Sequence, residues 1–150
     1  FLRIAEGCNN HCSYCIIPVL RGPFRSRPME NILEEAWALA EKGAKELLVI
    51  AQDTTRYGTD LYGKRMLPEL LEGLCQIPGV EWVRLHYLYP DELDDELLDV
   101  MEKYRPRYMV HGHVHQNYQY NFKRVRHHGD TTVINAFGYY LLDVPVTEHS

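Results

Sequence analysis

The fold of this chain is constrained most strongly by one short, uninterrupted apolar segment flanked on both sides by amphipathic ones. Residues 46–51 read Glu-Leu-Leu-Val-Ile-Ala, a run typical of a strand buried on both faces of a sheet. Extended segments at 1–6 and 82–87 precede and follow it. Apolar residues at helical spacing occupy 30–42, 67–74 and 91–101. This β-α-β-α-β-α order predicts an α/β chain with a parallel sheet of three βα units joined by right-handed crossovers.

Residues with start or stop character mark the ends of the predicted helices. Pro28 suits the start of the first helix, and Gly43 ends it. Pro78-Gly79 stops the second helix, and Asp91 is predicted to cap the third. The apolar face of that third helix would hold Leu93, Leu97, Leu98 and Met101. Because ligands of parallel sheets collect at the carboxyl ends of the strands, we expect the functional residues there.

The composition excludes several classes of protein. The 150 residues carry 16 Lys+Arg against 21 Asp+Glu, a formal charge of −5, with 45% apolar residues. This is globular usage, and its acidity gives no basis for sequence-independent DNA binding. The longest apolar stretch, Leu47–Ala51, is far shorter than the roughly 20 residues that span a bilayer. We expect a cytoplasmic chain without a membrane segment or signal peptide, and, because residue 1 is Phe, a longer parent protein.

Charge and histidine content change together near Tyr104. Residues 1–104 hold 11 Lys+Arg and 18 Asp+Glu, whereas residues 105–150 hold five and three. Six of the eight histidines lie in the second part. The change predicts two segments of different origin, 1–104 and 105–150.

Three cysteines lie within eight positions, in the sequence Cys8-Asn9-Asn10-His11-Cys12-Ser13-Tyr14-Cys15. The C-x3-C-x2-C spacing lets each thiolate hold one iron of a cubic four-iron cluster and leaves the fourth iron open to a small chelating molecule. A zinc site is the alternative, although structural zinc normally takes two separated pairs of ligands, and His11 is confined to the same tight loop. Inert structural cysteines are the remaining alternative. Cys75, in an apolar helix, is predicted to be a small buried hydrophobe.

At these residues the chain resembles the radical S-adenosylmethionine superfamily. The resemblance implies that Cys8, Cys12 and Cys15 hold a 4Fe-4S cluster, with Tyr14 as the aromatic residue before the last ligand. It also implies that the open iron binds S-adenosyl-L-methionine, and that one-electron reduction cleaves the sulfonium to a 5′-deoxyadenosyl radical. The electron would come from a reductant protein of flavodoxin or ferredoxin type. The implied fold is a partial radical-SAM (βα) barrel.

The surrounding segments narrow the resemblance to the methylthiotransferases. Residues 5–9, 15–18, 21–22 and 26–28 match that branch, and 52–58 and 84–90 are more similar to the members that act on protein than to those that act on tRNA. The implied reaction is methylthiolation of an aspartate in a small-subunit ribosomal protein. Since full βα barrels run to roughly 200 residues or more, and the second cluster domain of this branch is missing here, we expect the chain to be incomplete for activity alone.

Several side chains are candidates for contacts with cofactor or substrate. Gln52, Asp53 and Thr54 end the second strand and could hydrogen-bond the cofactor or the substrate, with a helix or turn cap as the alternative for Asp53. His86 alternates with Val83 and Leu85, so it is predicted to face a barrel lumen, as a satisfied interior residue or as a functional one. Arg21, Arg25 and Arg27 are predicted to form a cationic rim of the site, with a solvated loop as the alternative. Tyr14 and Ile16 are predicted to pack on the cluster and keep water from it.

The second part carries a different pattern. His113 and His115 alternate after Gly112, which suits a divalent transition metal such as manganese, iron or zinc. Residues 112–115, 129–136 and 140–144 resemble the end of the calcineurin-like metallophosphoesterases, which implies two ligands of a two-metal hydrolase site. The earlier motifs of that family are absent, so we predict adventitious metal binding and negligible phosphatase activity. Strands are expected at 107–111, 131–135 and 139–144, with His111 in strand core and His127 and His128 in a loop.

Three functional classes therefore remain from the sequence. We favour a radical enzyme fragment of the methylthiotransferase type. A metallophosphoesterase remnant and a non-catalytic chimeric polypeptide are the alternatives. The tail strands are expected either to extend the parallel sheet or to form a small β layer, and an open barrel edge predicts marginal stability or self-association.

Overall fold

The computed structural model describes residues 1–10, 12–89, 94–111, 124–135 and 141. The chain divides into two compact units, Phe1–Val100 and Met101–Ser150. The predicted boundary near Tyr104 lies close to this division, and the separate origin of the two parts stays a prediction. No helix in the described ranges is both long enough and apolar enough to cross a membrane.

The first unit is organised around a parallel sheet of three strands. Strands β1 (Leu2–Arg3), β4 (Glu46–Ile50) and β5 (Trp82–Leu85) lie in the order β1-β4-β5. Both pairings are parallel, with Leu2 opposite Val49 and Val49 opposite Leu85. The predicted α/β class and the parallel pairing of these segments are therefore confirmed.

The predicted first strand, 1–6, divides at Ile4. Ile4 N–H donates to Ile50 O, at the end of β4, while Ile4 O accepts the N–H of Arg27. At Ile4 the chain therefore stops pairing with β4 and starts pairing with the segment around Arg27. Beyond it, β2 (Ala5–Glu6) pairs antiparallel with β3 (Arg25–Ser26), a strand that the sequence pattern did not reveal. Two-residue strands are too short to produce a visible alternation of polarity.

The described residues also form four helices. The predicted helices are confirmed as α2 (Met29–Glu41), α3 (Leu67–Cys75) and α4 (Asp95–Tyr104), while the short α1 (Ile17–Arg21) was not predicted. Asp91 and Leu93 lie outside the described residues. Asp94 accepts the N–H of Leu97 at 3.0 Å and so caps α4.

The core lies against one face of the sheet. Leu47 and Val49 of β4 are buried among apolar side chains of α2, α3 and α4, which include Ile32, Ala36, Leu70, Leu74 and Leu97. Glu46, Leu48 and Ile50 are only half-buried. The expectation of a strand buried on both faces is therefore wrong for the described part of the chain, because its helices and loops pack into one cluster that involves a single face of β4.

The second unit contains its own sheet. Strands β6 (Tyr108–His111), β7 (Val125–His128) and β8 (Thr131–Asn135) lie in the order β6-β8-β7, with β6 parallel and β7 antiparallel to β8. Of the two arrangements expected for the tail, the described strands form the separate small β layer. His127 and His128 belong to β7, so their prediction as loop residues is wrong. Of 139–144 only Leu141 is described, and it is not in a strand.

Candidate functional site

The three clustered cysteines lie in a loop whose base is tied. The loop leaves β2 and returns through β3, where Ala5 pairs with Ser26 and Glu6 pairs with Arg25. Inside this ladder, Cys8 donates its N–H to Gly22 O at 3.2 Å. The Asn9 side chain accepts the N–H of Phe24 at 2.9 Å. These contacts hold the start and the end of the loop together, and Cys8 is fixed at the base.

Gly7 allows the two ends of the loop to approach. Its φ is +82°, and a Cβ placed there would lie 2.1 Å from Pro23 O. Only a residue without a side chain fits both the backbone angle and the contact with the returning strand.

The thiols differ in exposure around the loop. Cys8 is buried, Cys15 is half-buried and Cys12 is exposed, and all four cysteines of the chain are free thiols. Asn10 N–H points to Cys8 Sγ at 3.4 Å, and Cys15 N–H donates to Cys12 O at 3.0 Å. A donor set of three thiols in one loop fits a cubic cluster, since each thiolate takes a different iron. The described residues hold no group of three or more His, Cys, Asp or Glu placed around a single metal ion.

Gln52 and Asp53 follow Ala51, just beyond the carboxyl end of β4. Asp53 is 1% exposed, accepts a hydrogen bond from Thr55 Oγ1, and has its Oδ2 3.2 Å from Arg56 Nε. These two neighbours stabilise the turn, which supports the turn-forming alternative for Asp53. Gln52 Oε1 is buried and has no hydrogen-bond partner among the described residues.

Tyr89 connects the cysteine loop with the ends of the strands. Partial burial raises the pKa of its hydroxyl; the negative charges of Asp53, Cys8 and Cys12 act in the same direction, and a hydrogen bond from the Asn10 side chain opposes them. A residue that responds to all of these groups lies between the loop and the carboxyl edge of the sheet. Sequence reasoning did not single out Tyr89, although its place just after the third strand could have indicated it.

His86 follows β5 and is not a satisfied interior histidine in the part of the chain that the structure describes. Its Nε2 is buried without a hydrogen-bond partner. Thr54 Oγ1 donates to His86 O at 2.8 Å, and Thr54 N–H donates to Tyr87 O at 3.1 Å. The backbone at His86 is thus held firmly while one nitrogen of its ring is left unpaired.

The structure does not place Tyr14 and Ile16 as cover over the cysteines. Tyr14 is 88% exposed and Ile16 is 58% exposed, because α1 and the loop before it bury no side chain of this stretch against the core. The expected packing is therefore not observed. Both side chains form an exposed apolar rim of the loop.

The predicted cationic rim is engaged within the chain. Arg21 pairs with Glu6 at 2.8 Å, and Arg27 pairs with Glu35 at 2.7 Å. Arg25 donates to the carbonyl oxygens of Pro23 and Arg21. These guanidinium groups stabilise the base of the loop and the start of α2, which is a structural task.

A second set of contacts fixes the loop after Asp53 to the end of β3 and to the residue that follows it. Ser26 Oγ donates to Asp60 at 2.6 Å and accepts the N–H of Gly58 at 2.9 Å. Tyr57, which is fully buried, donates its hydroxyl to Arg27 O at 2.9 Å. Partial burial opposes a lowered pKa at Asp60, but the hydrogen bonds from Ser26 outweigh it and lower that pKa. These hydrogen bonds therefore hold the loop after Asp53 and the end of β3 in a fixed arrangement.

His113 and His115 lie outside the described residues. Within the described tail, Thr132 Oγ1 lies 3.4 Å from His127 Nδ1. The predicted metal contacts of the tail histidines stay predictions.

Comparison with known proteins identifies what this chain is similar to. The model of the radical SAM superfamily matches residues 2–139. The ribosomal protein uS12 methylthiotransferase RimO of Lachnoclostridium phytofermentans is 63% identical over 102 residues, which cover 68% of this chain and 23% of that relative. RimO of Pelotomaculum thermopropionicum is 62% identical over 105 residues, covering 70% and 24%, and RimO of Clostridioides difficile is 59% identical over 104 residues, covering 69% and 23%.

The chain thus spans about a quarter of the length of the curated relatives it matches. The family model also extends to residue 139, into the segment for which the sequence predicts a phosphoesterase-like end. The comparisons give that prediction no support.

Proposed function

The chain belongs to the radical SAM superfamily, and from this premise we propose that it is part of a methylthiotransferase that modifies a ribosomal protein. The observation that carries the proposal is the cysteine loop with its tied base. Cys8 N–H donates to Gly22 O, and the Asn10 side chain hydrogen-bonds Tyr89, which follows the third strand of the parallel sheet. The relatives are methylthiotransferases of ribosomal protein uS12, and this supports the same substrate class here. An aspartate side chain is the proposed target.

Cys8, Cys12 and Cys15 are the proposed ligands of a 4Fe-4S cluster. When bound, the cluster supplies one electron to the sulfonium of S-adenosyl-L-methionine. The chain contributes a loop with a rigid base, so the thiol of Cys8 is positioned by backbone hydrogen bonds before any metal arrives. The exposed thiol of Cys12 leaves the loop open to cluster delivery.

Gln52 and Asp53 are the proposed contacts on the sheet side. They lie at the end of the middle strand, the usual place for ligands of parallel sheets. The carboxylate of Asp53 is balanced by Arg56, so it adds little net charge to the site. Tyr14, exposed on the cysteine loop, is the proposed aromatic residue at the outer rim of the cofactor site.

Two partners follow from this function. An electron donor of flavodoxin or ferredoxin type would reduce the cluster, and a ribosomal protein would offer the target side chain. We place the reaction in the cytoplasm, which suits a chain whose four cysteines are free thiols. Residues outside this quarter-length chain would complete the activity of the whole protein.

Anaerobic reconstitution with iron and sulfide tests the cluster. The wild-type chain should become brown and take up about four irons, with the broad absorption of iron–sulfur charge transfer. Cys12→Ala should take up less iron and give a different spectrum, because one corner of the cube loses its thiolate. Cys75→Ala is the matched control, since Cys75 lies at the end of α3 and not in the loop; its spectrum should equal that of the wild type.

The ligand assignment would be wrong if Cys12→Ala formed the same cluster with the same spectrum. The whole proposal would fail if Mössbauer spectroscopy of the reconstituted wild-type chain detected only mononuclear iron.

A further inference from the structure

Two buried polar atoms at the carboxyl edge of the sheet are unpaired in the part of the chain that the structure describes. They are Gln52 Oε1, after β4, and His86 Nε2, after β5. Burying a polar atom without a partner costs about 1–3 kcal/mol, so such atoms in a folded protein call for an explanation. Their places after adjacent parallel strands make a shared ligand the simplest one.

The register of the two strands separates a core face from an outer face and brings the ends of both strands to one edge of the sheet. Leu47, Val49, Val83 and Leu85 pack into the core or against it. Side chains of the opposite parity face away from that core, as the ion pair between Glu46 and Arg84 at 2.6 Å shows. Gln52 lies at a bend two residues beyond β4, and His86 directly follows β5. The Thr54 hydroxyl donates to His86 O, so the segment that carries Gln52 is bonded to the segment that carries His86.

The separation of the two residues can be derived from sheet geometry. Val49 lies opposite Leu85, so the register places Ile50 opposite His86, and His86 N–H donates to Val49 O at 3.1 Å. Gln52 is two residues further along. Two regular strands about 4.8 Å apart, with a rise of about 3.3 Å per residue, would put the two Cα atoms about 8 Å apart. A separation of this size is comparable with one amino-acid residue and its side chain.

His86 is held in place by its surroundings. Thr54, fully buried, donates its hydroxyl to His86 O at 2.8 Å and to Tyr87 O at 3.0 Å. Tyr87 has a φ of +59°, a conformation that L-residues rarely adopt. Strained backbone that is fixed by neighbouring groups is common at binding sites, where it positions a side chain before the ligand arrives.

The two atoms call for different chemistry in the ligand. An amide oxygen accepts, so Gln52 Oε1 suits an N–H donor, whereas an imidazole N–H suits a carboxylate oxygen. An aspartyl residue within a peptide offers both, through its own backbone N–H and its side chain. Asp53, an acid described at this edge of the sheet, is paired with Arg56 and hydrogen-bonded by Thr55, so its charge does not exclude an anion.

We propose that Gln52 and His86 form a two-point subsite for the target aspartate, in which His86 Nε2 donates to its carboxylate and Gln52 Oε1 accepts its backbone N–H. This inference rests on the proposed function for the identity of the target and makes His86 the residue that distinguishes aspartate from asparagine. It assigns Gln52 to the substrate side of the site.

NMR titration of the 150-residue chain tests the subsite without any cluster or cofactor. The probes are N-acetyl-aspartate N-methylamide and its asparagine counterpart. The wild-type chain should bind the aspartyl probe about tenfold more tightly, the size expected for one charge-assisted hydrogen bond. His86→Phe should reduce this ratio to about one. Gln52→Leu should weaken the binding of both probes by the same factor, because both present the same backbone N–H.

Two conservative variants separate binding from folding. His86→Gln keeps an N–H donor near the position of Nε2 and should retain the preference, whereas His86→Asn moves the donor and should lose it. His127→Phe makes the same aromatic exchange at an exposed histidine of the second unit and should behave as the wild type. The subsite is refuted if the wild-type chain shows no aspartyl preference, or if the preference survives in both His86→Phe and His86→Asn.

The outcome is independent of the cluster experiment. A chain that prefers the aspartyl probe but forms no 4Fe-4S cluster would keep the subsite and overturn the proposed function. A chain that forms the cluster but shows no preference for the aspartyl probe would keep the proposed function and overturn the subsite.

Discussion

At the residue scale, the cysteine loop depends on a glycine that no other residue can replace without a clash. Gly7 combines a φ of +82° with an approach to Pro23 O that leaves no room for a Cβ. Gly79 has a similar φ of +86°, but nothing lies within 4 Å of its Cβ position. Substitutions at Gly7 and Gly79 therefore share the backbone strain of a positive φ, and only the one at Gly7 adds steric overlap.

We predict that Gly7→Ala lowers the free energy of unfolding by more than about 3 kcal/mol, through strain at positive φ and displacement of the returning strand. Gly79→Ala should cost only about 1 kcal/mol, since strain is its only penalty. Urea denaturation of both variants measures the difference. Equal losses would show that the ends of the loop separate freely.

Individual side chains show where sequence reasoning works and where it does not. The cysteine motif is visible because its spacing along the chain is local. Cys75 is exposed, contrary to prediction. The buried stripe of α3 consists of Leu67, Leu70, Leu71 and Leu74, and the next residue is turned by about 100° away from it. Apolar neighbours in sequence therefore did not imply burial.

At the element scale, the loop after β4 is bound to the segment after β3 by a buried tyrosine. Tyr57 donates to Arg27 O, and its burial raises the pKa of the phenol well above the usual range, with the charges of Tyr62 and Glu30 acting in the same direction. A raised pKa means that the folded state resists ionisation. The stabilisation is present below the ordinary tyrosine pKa of about 10 and is lost as the pH rises above it.

Tyr57→Phe should cost about 1 kcal/mol at pH 7, because the carbonyl of Arg27 loses its donor. The difference from the wild type should narrow above about pH 10, where the unfolded wild-type chain gains stability by ionising Tyr57. Thermal denaturation across that pH range is the measurement. Tyr14→Phe, at an 88% exposed position, is the control and should follow the wild-type curve. A constant difference at all pH values would contradict the assignment.

The elements themselves were largely predictable, and their partners were not. Helical periodicity located α2 and α3, because each buries residues at intervals of three and four. It also located α4, although that helix buries only Leu97, and Leu98, expected on the same face, is exposed. The division of the first strand at Ile4 depends on the returning segment at Arg27, which lies more than 20 residues away. The exposed side of β4 depends on which helices lie over it.

At the scale of the whole molecule, the second unit has its own sheet, and its two predicted metal-binding histidines lie outside the described residues. We predict that the pure chain has negligible manganese-dependent activity on an aryl phosphate. Two histidines cannot hold two metal ions and also orient a nucleophile. Turnover that is abolished by His113→Ala would overturn this prediction, with His127→Ala as the control outside the motif.

The amino-acid order alone determined the cluster motif, the α/β class and the position of the main helices, because each of these depends on spacings within a few turns or a short loop. Only the tertiary structure decided that Tyr89 meets Asn10, that Asp53 is balanced by Arg56, and that Gln52 and His86 each bury a polar atom that no described residue pairs. These contacts depend on strand register and on where the chain returns. The sequence around each residue gives no local signal of a contact with a residue far away along the chain.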